Sequence, residues 1–126
     1  MNASSKKRLT QYERLAGMLR DRIASGTYAR GDKLPSEMEL MDESGLSRST
    51  VRHALKVLVD EGLVRTERTA GRYVTEDRAL IEQLRAEAAR NLTAEFLEKM
   101  RGIGYGPEQA ATLLERWNEK EETNHD

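Results

Sequence analysis

Apolar positions recur at helical spacing in most of the chain and contract to two short extended runs in the middle. From about Leu9 to Ala24, Leu15, Leu19 and Ile23 follow Tyr12 on one stripe, and Ser25-Gly26 stops the predicted helix. The pattern is clearest from Ser47 to Gly62, where Val51, Ala54, Leu55, Leu58 and Val59 make one apolar face. Ser47 suits the N-cap, because its hydroxyl can accept a free N–H of the first turn, and Gly62 suits the left-handed C′ position that ends the helix. From about Asp77 to Met100, Leu80, Ile81, Leu84, Ala88, Leu92, Phe96, Leu97 and Met100 form a long stripe. RGIGYG then breaks the pattern, and Pro107 opens a last helix with Ala110, Ala111, Leu113, Leu114 and Trp117 on one side.

The connections give these helices an order. Pro35 biases Leu34 away from helix, and Ser36 with Glu39 makes a capping box for a short helix over about Glu37 to Glu43, with Leu40 and Met41 facing inward. Gly45 turns the chain, Leu46 plugs the turn, and the Ser47 helix follows, which is the order of a helix-turn-helix. Leu63 to Thr66 and Arg72 to Thr75 read as two strands around a turn at Thr69-Ala70-Gly71. The expected fold class is therefore mainly α with a small β-wing. A flexible basic arm (1–8) precedes a winged helix-turn-helix (9–75), a two-helix C-terminal dimerisation region (76–118) and a charged tail (119–126).

Composition narrows the chemistry. Without cysteine there are no disulfides, thiolate metal sites or cysteine nucleophiles. No apolar run reaches the length of a membrane span, and MNASSKKRLT lacks the apolar segment of a secretory signal, so a soluble cytoplasmic protein is expected. The net charge of −1 conceals an asymmetry. Residues 1–74 carry 14 Lys and Arg against 10 Asp and Glu, net +4, and residues 75–126 carry 7 against 12, net −5. A basic front suits a polyanion, and an acidic back suits solvent or another protein.

The basic residues concentrate at the opening of the Ser47 helix, where Arg48, Ser49, Arg52 and Lys56, with His53 beside them, lie opposite the apolar face. Cations at a helix N-terminus oppose the helix dipole, so Arg48 and Arg52 call for an anionic partner. Arginines beside short hydroxyls suit major-groove reading, where Arg forks to guanine. In the wing, Arg68 and Arg72 flank the tip and suit phosphate or minor-groove contact, although exposed wing cations are solvated in many proteins. The same holds for Lys6, Lys7 and Arg8 of the arm, for which a solvated terminus is the simpler reading.

Two helices over some fifty residues cannot enclose a sizeable core alone. A second copy of the pair is the economical cover, with Leu80, Leu84, Ala88, Leu92, Phe96, Leu113, Leu114 and Trp117 at the interface; the alternative is a monomer whose helices fold back on their own winged domain. Among functions, a dimeric DNA-binding regulator leads, and a protein-interaction module using the acidic C-terminal helices is the alternative. Catalysis is the weakest reading, since His53 and His125 are the only imidazoles, and no His and carboxylate cluster has metal-ligand spacing. No cofactor is expected. Packing accounts for Phe96, Tyr105 and Trp117 more simply than a ligand pocket does, and any effector would act on the spacing of two winged domains through a hinge near Thr75 to Asp77.

The runs GDKLPSEMEL, SRSTVRHALKVLVDEGLV and AGRYV together resemble the winged helix-turn-helix of the GntR family of bacterial transcription regulators, over residues 10–75. The short back half looks like the YtrA subfamily, which lacks the large ligand-binding domain of other branches. The resemblance implies double-stranded DNA as partner, as an inverted-repeat operator bound by a homodimer acting as a repressor. It also implies DNA contact by Arg48, Thr50 and Arg52, with Thr50 partly committed to the helix start. The sequence departs from the family pattern at two places. Met38 stands where the family usually has a base-reading Arg after P-S-E. Thr69 and Arg72 replace the first glycine and the threonine of the wing pattern G-x-G-T-F-V. A shifted operator preference is expected.

Overall fold

The structure, a computed structural model, describes residues 8–68 and 70–123. Local capping chemistry sets its helices. Helix α1 (Gln11–Ser25) begins after Thr10, whose hydroxyl accepts from the Glu13 N–H at 3.3 Å while the Glu13 carboxylate accepts from the Thr10 N–H at 2.9 Å. The helix therefore starts two residues after the expected Leu9, which stays outside it. Helix α2 (Glu37–Ser44) has the same reciprocal box between Ser36 and Glu39. In helix α3 (Arg48–Asp60) the cap is Ser47, whose hydroxyl accepts from the Thr50 N–H at 3.3 Å. Gly62 has φ +82°, as expected for a residue that ends the helix in the left-handed region, where a side chain would be strained.

The chain divides into two compact units, the first reaching Ala86 and the second running from Glu87. In the first unit α1 packs along α3, and α2 crosses α3 at the helix-turn-helix. Leu19, Ile23, Leu40, Val51, Leu55 and Leu58 are fully buried, and each such side chain stabilises the fold by about 1.5–3 kcal/mol relative to exposure. Strands β1 (Val64–Glu67) and β2 (Gly71–Val74) form an antiparallel hairpin in which Val64 faces Val74 and Glu67 faces Gly71. Its base is held in the core by Val64 and Val74, and the rest projects as the wing. The segment after α1, expected only as a turn, lies along the other side of β2. The Leu34 N–H donates to the Arg72 carbonyl at 2.8 Å, the Val74 N–H donates to the Asp32 carbonyl at 2.8 Å, and Lys33 bridges Tyr73.

Helix α4 (Arg78–Gly102) begins one residue after Asp77, whose carboxylate accepts from the Leu80 N–H at 3.1 Å. Leu80, Ile81 and Leu84 pack against the core of the first unit. Leu80 and Leu84, expected on the dimer stripe, are thus partly covered within the chain itself: periodicity marks a face as buried without saying against what. At the expected hinge, the Thr75 N–H donates to the Leu63 carbonyl at 2.8 Å and the Asp77 N–H to the Thr75 hydroxyl at 3.0 Å, and the two compact units divide near Ala86, within α4.

The second unit holds the rest of α4 and helix α5 (Pro107–Thr123), joined by a turn in which the Tyr105 N–H returns to the Met100 carbonyl at 2.9 Å. Helix α5 continues well past Trp117, so most of the expected charged tail is helical, as good helix formers such as Glu and Lys allow. Helices α4 and α5 share little surface with one another, and Ala110 is the unit's one buried apolar residue among those described.

Candidate nucleic-acid interface

The first turns of α3 present Arg48, Ser49, Arg52, His53 and Lys56 to solvent, with Thr50 half-buried. Thr50 is engaged at the helix start, its hydroxyl lying 3.0 Å from that of Ser47. Lys56 pairs with Asp60 one turn on, at 3.1 Å, in an exposed ion pair of small energetic weight. His53 stacks on Tyr12 of α1.

Arg48 and Arg52 meet an anion inside the chain. The Glu37 carboxylate, whose side chain is only 15% exposed, accepts from Arg48 at 3.2 Å, from Arg52 at 3.0 Å and from Arg72 of β2 at 3.1 Å. One residue in the first turn of α2 thus ties α3 to the wing. Burial alone would push this carboxyl up, but hydrogen bonds and charge from Arg52 and Arg72 outweigh it and hold the group below its ordinary range. Three guanidiniums around one carboxylate leave an excess of positive charge at the surface, held in a fixed geometry by bonds from two further elements.

The wing is arranged differently from expectation. Arg72 turns back toward α2 instead of flanking the tip as a free cation. Arg68 is exposed near the tip. Thr69 lies outside the described residues, as do Lys6, Lys7 and His125. Gly71 has φ +98°, and a Cβ built on it would sit 3.2 Å from the Lys33 side chain, which brings another cation over the start of β2.

Sequence reasoning missed Glu37 and Lys33 as members of this surface. Glu37 was legible only as an early residue of a capped helix, since its partners lie 11, 15 and 35 positions away. Met38, beside it, is 56% exposed, an apolar side chain in a charged neighbourhood.

The sequence-predicted dimer residues behave as two groups. Leu80 and Leu84 pack partly buried against the first unit's core and Ala88 is half-buried, whereas Leu92, Phe96, Leu113, Leu114 and Trp117 are exposed, Leu92 and Trp117 at 66% each. Among the described residues no group of three His, Asp or Glu side chains is set to hold a metal ion, and no helix is long and apolar enough to cross a membrane.

Residues 11–74 match the family described as bacterial regulatory proteins, gntR family. The mannosyl-D-glycerate transport/metabolism system repressor MngR of Escherichia coli is 42% identical over 67 residues, covering 53% of this chain and 28% of that protein. The Exu regulon transcriptional regulator of Escherichia coli is 36% identical over 107 residues, covering 82% of this chain and 37% of that protein. The chain thus spans about a third of the length of these relatives. Among solved structures, a GntR family transcriptional regulator from Listeria monocytogenes superposes with a TM-score of 0.77 at 30% identity, over 88% of this chain and 97% of that one. The DNA-binding domain of AraR in complex with an operator superposes with a TM-score of 0.53 at 32% identity, over 55% of this chain and 83% of that one. The match over residues 11–74, from α1 to the end of the wing, places the chain in the GntR family of bacterial regulatory proteins.

Proposed function

We propose that the chain is a sequence-specific DNA-binding transcription regulator, a repressor of the YtrA-like kind, acting in the cytoplasm as a homodimer on an inverted-repeat operator. The observation that carries the reading is the array of Arg48, Arg52 and Arg72 gathered on Glu37 at the opening of α3 and the base of the wing. Arginines with fixed orientation are suited to forked bonds with guanine, while their excess charge attracts the phosphate backbone. In this reading Arg48 and Arg52 read bases, and Ser49, Thr50 and His53 add polar contacts to bases or to the neighbouring backbone. Lys56, Arg68, Thr69, Gly71 and Arg72 lie along the sugar-phosphate backbone. The naming of relatives as repressors, and the solved operator complex of a related domain, support it.

The homodimer is supported by the second unit, where Leu92, Phe96, Leu113, Leu114 and Trp117 on two helices that cover each other little, and Ile103 in the turn between them, are all more than a third exposed. So much apolar surface on some forty residues is a mark of an interface. A two-fold pair of recognition helices would then read half-sites about one helical turn apart, roughly 34–36 Å.

Selection of binding sites from a random duplex pool, with mass in solution measured alongside, tests both parts. The expected result is an inverted repeat recovered by a particle of twice the 14.3 kDa chain mass. A protein that recovers no sequence refutes the DNA reading, and a monomer refutes the dimer. Arg52→Ala should lower the preference for operator over random duplex by about 1–3 kcal/mol; equal preference in wild type and variant removes Arg52 from the reading residues.

A further inference from the structure

His53 does not simply project from α3. Its ring lies flat on that of Tyr12, with centroids 3.6 Å apart and planes 12° from parallel. Tyr12 is half-buried and packed against the core, so it is the fixed member of the pair; His53 is exposed, so it is the member that gains an orientation. A stack occupies ring faces and leaves the ring edge, with both imidazole nitrogens, available for hydrogen bonds. Among the described residues none takes up those nitrogens.

The pair borders an open hollow of about 350 Å³, lined by Thr10, Gln11, Tyr12, Ser49, Thr50 and His53. These residues come from the first turns of α1 and α3 and offer hydroxyl, amide and imidazole groups; the Thr10 hydroxyl already donates to the Glu13 carboxylate at 2.9 Å, which leaves Gln11, Ser49 and His53 as the main side-chain donors. Such neutral donors, with the free N–H groups of a helix start, are those that position DNA by its phosphates. The base-reading candidates Arg48 and Arg52 are not part of the lining.

We infer that Tyr12 is a positioning residue for DNA binding: its stack holds the edge of the His53 ring toward a backbone phosphate seated in this hollow. The inference rests on the DNA-binding reading above. It differs from it in assigning a role to α1 and in making that role independent of sequence, because the bond goes to a phosphate.

The test is fluorescence anisotropy of the full chain with two labelled duplexes, a selected operator and a shuffled version, at fixed salt and pH. Tyr12→Leu, which keeps apolar bulk against the core, should weaken both duplexes by the same factor, about fivefold for one lost hydrogen bond. Tyr12→Phe, which keeps the stack, should bind as wild type does. His53→Ala should lose as much as Tyr12→Leu, and the double variant should lose no more than His53→Ala alone.

Losses that multiply in the double variant, a loss confined to the operator, or a Tyr12→Phe as weak as Tyr12→Leu would each overturn the inference while leaving the DNA reading intact. The last would show that the hydroxyl acts, not the stack. A wild-type chain that binds neither duplex overturns both. Thermal melts confirm folding, and Tyr12→Met replaces Tyr12→Leu if the leucine variant melts below the assay temperature.

Discussion

Replacing Glu37 by Gln keeps the shape of the side chain at the centre of the arginine array and removes its charge. At an effective dielectric of about 20, two unit charges about 4 Å apart attract by about 4 kcal/mol, so three guanidiniums would nominally bring about 12 kcal/mol. Most of that is offset, because the carboxylate and guanidiniums give up hydration and the three guanidiniums repel one another. Exposure decides what remains. The Arg48 and Arg52 side chains are 46% and 60% exposed, and such pairs are worth about 0.5 kcal/mol each. Arg72 is 27% exposed against a partner at 15%, and this sheltered charge-assisted bond contributes about 1–1.5 kcal/mol.

Glu37→Gln should therefore cost about 2 kcal/mol of stability, read as a urea midpoint lower by about 1 M with an unchanged slope. In DNA binding the two effects of the substitution oppose each other. One negative charge fewer raises affinity for random duplex, while loss of the arginines' common anchor lowers the preference for operator. The pH dependence follows from the depressed carboxyl. Its contribution is complete above the unfolded value of 4.5 and disappears as pH falls through the lower folded value, so the stability gap between wild type and variant should close on acidification. A variant with the wild-type urea midpoint and the wild-type ratio of operator to random affinity would refute this account of Glu37.

Leu55→Ala, at a fully buried position of α3, should cost about 2–5 kcal/mol in the same urea assay, since a cavity opens where α1 and α3 pack; a cost below 1 kcal/mol would contradict the described core. Met38→Arg should change one position of the selected operator toward guanine, because an exposed apolar side chain favours the thymine methyl and an arginine the guanine edge; an unchanged selected site would show that Met38 lies off the bases. Phe96→Glu with Leu92→Glu should convert the particle to monomer by light scattering while the first unit keeps its thermal transition; a persistent dimer would place the interface elsewhere.

What could be read in the sequence was what acts over a few residues. Ser47, Ser36 and Gly62 announce helix ends because each needs a particular local geometry, and all three occupy the expected places. The helix-turn-helix and the wing followed from that punctuation. What could not be read was which distant groups meet. Nothing near Glu37 in sequence shows that residues 48, 52 and 72 converge on it, and nothing near Tyr12 shows that it lies under His53. The stripe of α4 was correct as a pattern and divided in its use, its first turns serving the winged unit. At α1 the expected start near Leu9 fell two residues early because the Thr10 cap decides where the helix begins.

The segment paired along the outer side of β2 has a consequence for solubility. A two-stranded ribbon ordinarily offers two rows of unpaired backbone groups, each able to recruit a strand from a neighbouring molecule. Here residues 31–34 occupy the row on β2. The other row is confined to four residues of β1, guarded by the charged pair of Arg65 and Glu67. Ribbon-to-ribbon aggregation is thereby restricted to one short charged edge, which leaves side-chain surfaces, where geometry can limit association to a defined number of chains, as the main route to self-association.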